Sequence, residues 1–348
     1  MNLSQEDRRK FVVLENLKRP PKQRCRVFVG LSGGQDSVAL LHVLSKKISQ
    51  SSENSEWHGI KLSAIHINHN LQEDSINFEN ICNELCKDLE IKLDVIKINI
   101  KVNTLKRLGP EAAARRDRFR AFQKVLNVKT DVLALGHHLD DQVETVLLQW
   151  MRGAGLEGLT GMLIFDQRIV EKKSINIWRP FLKTTRSEIS NYVAKHKLKW
   201  INDPSNDNLK LDRNLIRHKV IPLLKSSRNG SSLAMARSIN HLQSARSLLE
   251  KTITYNLKMC EINNKKNAES FKNLSKELIL KLDDELVPRV LRAWIKNSGL
   301  SVPPTRRIIE FIRQLRISGN NSRIFIEVNG EIAYKIVCNF DELTLVLN

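Results

Sequence analysis

The chain has no cysteine pair at CxxC spacing, no apolar run long enough to cross a membrane, and few aromatic side chains. Its five cysteines, Cys25, Cys82, Cys86, Cys260 and Cys338, are odd in number and join no ligand-spaced motif. That pattern speaks against a zinc ribbon or a disulfide framework and for a reducing compartment. Cys82 and Cys86 stand at i and i+4, which on a helix is one shared face, so packing is their expected role. The N-terminus is polar and charged, with no apolar signal core; a cytoplasmic protein without a membrane span is expected. Aromatic residues make up 5% of the chain, which confines any stacking on nucleobases to a handful of positions.

Acidic residues are the other shortage. Asp and Glu number 38 against 57 Lys and Arg, for a formal net charge of +19 and a pI near 9.8. Such an excess points to a polyanionic partner, nucleic acid ahead of membrane. It is spread along the chain, which fits a long curved footprint better than a disordered arm. A length of 348 residues allows two domains. The most linker-like stretch, Ser226–Ser232, suggests domains at 1–225 and 226–348.

The first domain alternates strand and helix patterns. Strands are expected near residues 25–31, 61–68, 92–100, 131–136 and 175–178. Helices are expected near 38–44, 73–89, 111–126, 140–151, 184–196 and 213–224, with a mobile loop at 153–161. The fold class is α/β: a parallel twisted sheet with helices on both faces, whose ligands lie at the carboxyl ends of the strands. After it comes a mainly helical region, interrupted at Pro288 and Pro303-Pro304, and a small terminal β-hairpin around Asn329-Gly330.

Ser32-Gly33-Gly34-Gln35-Asp36-Ser37 lies between the first strand and the first helix. Two glycines there let backbone N–H groups approach an anion, and the helix start adds free donors and positive dipole. Ser32 and Ser37 can donate to phosphate oxygens, and Asp36 can hold a Mg²⁺ that shields the charge. A kinase-type P-loop needs a Lys that is absent here. Gly153, Gly155 and Gly158 form a literal GxGxxG, but they follow a helix rather than a strand, so a dinucleotide site is not expected. The hexapeptide resembles the PP-loop of the ATP pyrophosphatase superfamily, whose members cleave ATP between the α and β phosphates.

Further chemistry falls at other strand ends. His66-Ile67-Asn68-His69 ends the second strand, and His137-His138-Leu139-Asp140-Asp141-Gln142-Val143-Glu144-Thr145 follows the fourth. These histidines and acids lack a cysteine partner, so a structural zinc site is disfavoured. Asp140 is placed to cap the following helix. Asp141 and Glu144 share one face of its start and can hold Mg²⁺ or an ammonium group. Arg115 suits an adenylate or a developing phosphoryl charge, whereas Arg116 and Arg118 suit surface ion pairs.

These blocks are similar to the tRNA(Ile)-lysidine synthetase family. The likeness continues through Arg152–Met162, Arg179-Pro180-Phe181-Leu182, Asp203-Pro204-Ser205-Asn206 and Arg213-Asn214-Leu215-Ile216-Arg217, covering roughly residues 24–224. It implies an ATP- and Mg²⁺-dependent ligase acting on the wobble cytidine of the CAU-anticodon isoleucine tRNA. ATP adenylates the cytosine C2 oxygen, and free L-lysine then displaces AMP to give lysidine. It further implies that Ser32, Gly33, Gly34, Gln35, Asp36, Ser37, His66 and His137 bind ATP. Asp36, Arg115, Asp141 and Glu144 would be catalytic, with Asp36 and Asp141 as metal ligands. Asp141, Glu144, Asp203, Asn206, Arg213 and Arg217 would bind substrate. The helical second domain would hold the tRNA, and a homodimer is compatible with this scheme. Two departures stand out: the chain is too short for the full extra C-terminal domain of many members, and Gln149 replaces a common basic residue. The rival readings are a tRNA thiolase, which wants a reactive cysteine, and an RNA-binding protein that keeps the fold only as scaffold.

Overall fold

A computed structural model describes residues 17–20, 25–68, 75–98, 110–127, 129–170, 173–203, 208–209, 211–262, 271–318, 324–328 and 333–347. In chain order, the first part runs β1 (Arg26–Gly30), α1 (Gln35–Ser49), β2 (Lys61–Asn68), α2 (Ser75–Asp88), β3 (Lys92–Lys97), α3 (Pro110–Val125), β4 (Val132–Ala134) and α4 (Leu139–Met151). It continues with α5 (Leu156–Leu159), β5 (Phe165–Val170), β6 (Lys173–Trp178), α6 (Arg186–Lys195), α7 (Asp212–Leu215), a π-helical turn (Ile216–Val220) and α8 (Ile221–Ser227).

The strands form one six-stranded sheet in the order β3-β2-β1-β4-β6-β5. Neighbours are parallel except β5, which pairs antiparallel with β6 at the edge. Central strands buried on both faces read as unbroken apolar runs, and alternate residues then serve opposite cores. Val27, Val29, Ala64 and Trp178 pack with Val38, Leu41 and Tyr192 on one side. Phe28, Ile65, Leu133 and Ile177 pack with Phe119 and Phe122 of α3 on the other. Parallel strands bring the ends of β1, β2, β4 and β6 to one edge, where His66 lies near the end of β2 and Asp36, His137 and Arg179 follow β1, β4 and β6.

Beyond α8 come α9 (Ser231–Cys260), β7 (Glu261–Ile262), β8 (Asn273–Ser275), α10 (Lys276–Leu280), α11 (Val287–Asn297), α12 (Thr305–Ile317), β9 (Ile324–Val328), β10 (Tyr334–Asn339) and β11 (Glu342–Leu347). Proline delimits these helices rather than breaking them: Pro288 lies in the first turn of α11 and Pro304 is the N-cap of α12. The terminal strands belong to a five-stranded antiparallel sheet, β7-β8-β11-β10-β9, of which the expected hairpin is a part. Its Asn329-Gly330 turn lies outside the described residues. Val290, Leu291 and Trp294 pack against Ile308, Phe311, Tyr334 and Leu343, and the Trp294 Nε1–H donates to the Lys272 carbonyl at 2.7 Å.

The chain divides into two compact units, Met1–Leu242 and Gln243–Asn348. The division falls inside α9, not at the 225/226 position expected from the serine-rich turn. Met235 on the first part of α9 packs against Val143, Leu147, Ile216 and Ile221, which draws those turns into the first unit.

Candidate active site

The PP-loop is shaped by its own side chains. Gly33 has φ +84°, and a Cβ there would come within 3.1 Å of the Phe78 ring; both the turn and the packing require glycine. The Ser37 Oγ–H donates to the Gly34 carbonyl (2.9 Å) and Ser37 Oγ accepts from the Ser32 amide (3.1 Å). The Gly34 amide donates to Ser32 Oγ at 3.3 Å, and the Ile201 amide donates to the Gly33 carbonyl at 3.0 Å. Gly136 lets the end of β4 reach this loop, since a Cβ on it would lie 3.0 Å from the Asp36 backbone. Buried His66 donates from Nδ1 to the Leu31 carbonyl at 2.9 Å, fixing the loop's entry.

Asp36 stands in the first turn of α1. Burial raises its carboxyl above the ordinary range, against the lowering influence of His138, Arg186 and Arg217, while Asp141 adds to the rise. One oxygen, Oδ1, is buried with no hydrogen-bond partner. A carboxylate left short of donors in this way fits a cation. His137 Nδ1 is likewise unpartnered, and burial above all depresses that imidazole to about 3, so it is neutral at physiological pH.

His138, not Asp140, caps α4. Its Nδ1 accepts from the Asp141 amide (3.4 Å), and Asp141 Oδ2 accepts from the His138 amide (3.0 Å). The reciprocal arrangement places the cap one turn before the acid that completes it. Asp140 instead pairs with Lys225 at 3.3 Å. The other ring nitrogen of His138 lies 3.7 Å from Asp36 and 3.5 Å from Asp141, so the imidazole stands between the two carboxylates.

Asp141 and Glu144 converge as the i, i+3 spacing predicts, and both are engaged by arginines of α7 and the π-helical turn that follows it. Arg213 reaches Asp141 Oδ1 (3.0 Å) and Glu144 Oε2 (2.8 Å). Arg217 reaches Asp141 Oδ1 (3.1 Å) and both Glu144 oxygens (2.6 and 2.9 Å). Arg213 and Arg217 are i and i+4, so one helix face presents both forks. Burial works to raise Asp141, but His138, Arg213, His137 and the His138 amide outweigh it and hold the carboxyl well below the usual range.

Arg115 is half-buried on α3. Burial lowers its guanidinium to about 10, helped by the positive charges of Arg168, Arg213, Arg118 and Arg179, and it remains protonated at neutral pH. It lies 5.7 Å from the centroid of the Phe119 ring, and Arg168 of β5 lies 4.0 Å from the same ring. Among the described residues no carboxylate pairs with Arg115, whereas Arg116 pairs with Asp117 at 3.2 Å. Arg179 donates to the Leu163 carbonyl (2.8 Å), pairs with Asp166 at 3.4 Å, the one acid paired with Arg115, Arg168 or Arg179 among the described residues, and leaves its buried Nε unpartnered. Cations gathered without enough acid make an anion site. Burial lowers the Arg118 guanidinium and Asp203 is close enough to oppose that shift, while Asn206 and His69 lie outside the described residues. Arg168 is an addition to the site that the motif blocks do not contain, and Arg179 stands in the Arg179–Leu182 block without an assigned role there. Arg179 carries a signal nonetheless, being a charged residue at the end of a buried strand.

Residues 5–224 match the PP-loop domain family, and residues 274–326 match the TilS substrate binding domain. The tRNA(Ile)-lysidine synthase of Wigglesworthia glossinidia brevipalpis is 32% identical over 306 residues, which cover 87% of this chain and 73% of that protein. The chain belongs to the tRNA(Ile)-lysidine synthase family. The Legionella pneumophila (strain Paris) member is 35% identical over 300 residues, covering 84% of this chain and 63% of the relative, so the chain spans a little under two thirds of that protein's length. The fold is also similar to that of a U34-tRNA thiolase, NcsA from Methanococcus maripaludis, solved with its 4Fe–4S cluster. The TM-score is 0.53 and the identity 19%, covering 69% of this chain and 81% of that one.

Proposed function

We propose that this member of the lysidine synthase family adenylates the C2 oxygen of the wobble cytidine in the CAU-anticodon isoleucine tRNA and joins free L-lysine to C2. The carrying observation is the meeting, at one sheet edge, of the PP-loop with its under-coordinated Asp36 and of an arginine cluster short of acid. Ser32, Gly33, Gly34, Gln35 and Ser37 line the phosphate loop, and neutral His137 with His66 borders the nucleotide. Arg115, with Arg168 and Arg179 nearby, offers planar donors to the adenylated intermediate.

Activation is required because a ring carbonyl oxygen is a poor leaving group. The ε-amine must also lose its proton, its free pKa being about 10.4. Asp141 and Glu144 are the groups to orient that ammonium and to accept the proton. Both already bind Arg213 and Arg217, so an incoming ammonium shares or displaces a guanidinium.

Mg²⁺ fits Asp36 through the unpartnered oxygen and would offset phosphate charge there. Asp141 is less suited in this conformation, its oxygens being taken by His138, Arg213 and Arg217. Among the described residues no three ligating side chains converge on a metal position. That is compatible with Mg²⁺, which takes one or two carboxylates plus substrate oxygens.

In this reading the first unit, through Leu242, serves catalysis and the second, from Gln243, holds tRNA, in the cytoplasm; no helix among the described residues is long and apolar enough to cross a membrane. Thiolation finds no support in the cysteines. The Cys82 thiol is buried beneath the PP-loop and pushed up to about 12, chiefly by burial, which leaves no thiolate to carry sulfur. Nucleoside mass spectrometry after incubating the isoleucine tRNA, ATP and lysine with the protein tests the proposal. Lysidine with stoichiometric AMP and pyrophosphate is expected, and unmodified cytidine would refute it.

A further inference from the structure

Arg186 opens α6, directly after its cap. Thr185 Oγ1 accepts from the Glu188 amide (3.3 Å), and Glu188 Oε2 accepts from the Thr185 amide (2.7 Å), so this helix start is rigid. Two ties hold it beside the nucleotide loop. Ser190, one turn along, donates from Oγ to Gln35 Oε1 at 3.0 Å, next to Asp36. The Leu139 amide at the start of α4 donates to the Thr184 carbonyl at 2.9 Å. Arg186, Ser187 and Ser190 line an open cavity of about 550 Å³ that is also lined by Gly230–Ser232 at the start of α9. The one carboxylate on that lining, Asp140, is already paired with Lys225.

Arg186 itself is exposed and has no carboxylate partner among the described residues. An exposed arginine without a salt bridge, anchored by a double-capped helix within reach of the phosphate loop, is poised for an anion rather than for stability.

Resting on the ATP-cleaving reading above, we propose that Arg186 holds the pyrophosphate end of ATP in this cavity and acts on its departure. In the adenylation step the cytidine C2 oxygen bonds to the α phosphorus as the bond from that phosphorus to the α–β bridging oxygen breaks. The bridging oxygen keeps the electron pair and leaves on pyrophosphate. A guanidinium facing the β and γ phosphates stabilises that charge as it forms, while the Arg115 cluster serves the adenylate. Arg186 is thus a binding and positioning residue for the leaving group.

Isothermal calorimetry of the full chain with Mg²⁺ and inorganic pyrophosphate, and separately with AMP, tests this. Arg186→Ala should weaken pyrophosphate binding about tenfold or more, the range for losing a charge-assisted hydrogen-bonding group. AMP affinity should stay within about twofold, and Arg186→Lys should recover part of the loss. Because the side chain is exposed, the melting temperature should not change. Equal pyrophosphate affinity in Arg186→Ala, or no pyrophosphate binding by the unaltered protein, overturns the assignment. So does a loss confined to tRNA affinity, which would make Arg186 an RNA-backbone contact. Pyrophosphate binding that depends on Arg186 in a protein that forms no lysidine would instead refute the reaction and leave this site standing.

Discussion

Arg217 Nε lies 2.6 Å from Glu144 Oε1, joining positions 73 residues apart in the chain. With Arg213 it encloses a carboxylate pair whose Glu144 side chain is 1% exposed. A pair that the sequence reads as an open cation site is therefore already filled by two guanidinium groups. The acids serve the architecture, by tying α7 and the turn after it to α4, as well as the proposed chemistry. On the proposed reading, a lysine ammonium entering here would compete with these built-in cations, and that competition would favour a ligand whose shape and charge repay the displacement.

Asp141→Asn should therefore destabilise the fold. Breaking a buried ion pair from one side costs about 3–5 kcal/mol. The lower end, about 3 kcal/mol, applies because Arg213 and Arg217 keep 25% and 21% of their side chains exposed. Urea unfolding of the variant and the parent checks the value.

Asp36→Asn should behave oppositely. Its raised folded pKa means that the native state takes up the proton more readily than the unfolded chain. That contribution is present in acid and lost as pH rises through the folded value, so the ionised group is a liability at neutral pH. Asp141, held low, contributes stability above the ordinary carboxylate range that is lost as pH falls through its folded value. Asp36→Asn should unfold at the same or higher denaturant concentration at neutral pH, while acid unfolding of the parent should begin at lower pH than that of Asp141→Asn.

Asp36→Ala should keep the circular dichroism spectrum and lose ATP–pyrophosphate chemistry by about 10²-fold or more, the scale for removing one preorganised electrostatic group. Near-normal turnover would take the PP-loop out of the mechanism.

Arg115→Lys should cut lysidine formation by at least about tenfold, because a lysine keeps the charge and loses the planar fork. Arg116→Lys should be nearly silent, since Arg116 pairs with its own neighbour Asp117. Steady-state rates of both variants decide it; a more damaging Arg116 change would mean that the anion site lies on the other face of α3.

Exposed Arg237, Lys251, Arg289 and Arg306 carry no carboxylate partner among the described residues, whereas Arg313 is paired with Glu310. Reversing the charge of Arg289 or Arg306 should weaken tRNA binding. It should also reduce the slope of log affinity against log salt by about 1 for each phosphate no longer neutralised. Arg313→Glu should have the smaller effect. Filter binding across a salt series measures all three.

The sequence alone determined the strand–helix alternation, the PP-loop and the shared face of Asp141 and Glu144. Those features are local: apolar periodicity, a glycine turn and an i, i+3 spacing each act within a few residues. Edge strand β5 is not legible in the same way, because Asp166, Gln167 and Arg168 give it no apolar run and only pairing with β6 makes it a strand. Residue type favours Asp140 as the cap of α4, but the backbone path makes it His138. Tertiary structure alone decided that Arg213 and Arg217 close on Asp141 and Glu144, that Arg168 of β5 joins Arg115 over one phenylalanine ring, and that Arg186 lines a cavity whose one acid is already paired. Coulombic and hydrogen-bonding partners are chosen by distance in space, and distances between residues far apart in the chain are set only when the sheet brings its strand ends to a common edge.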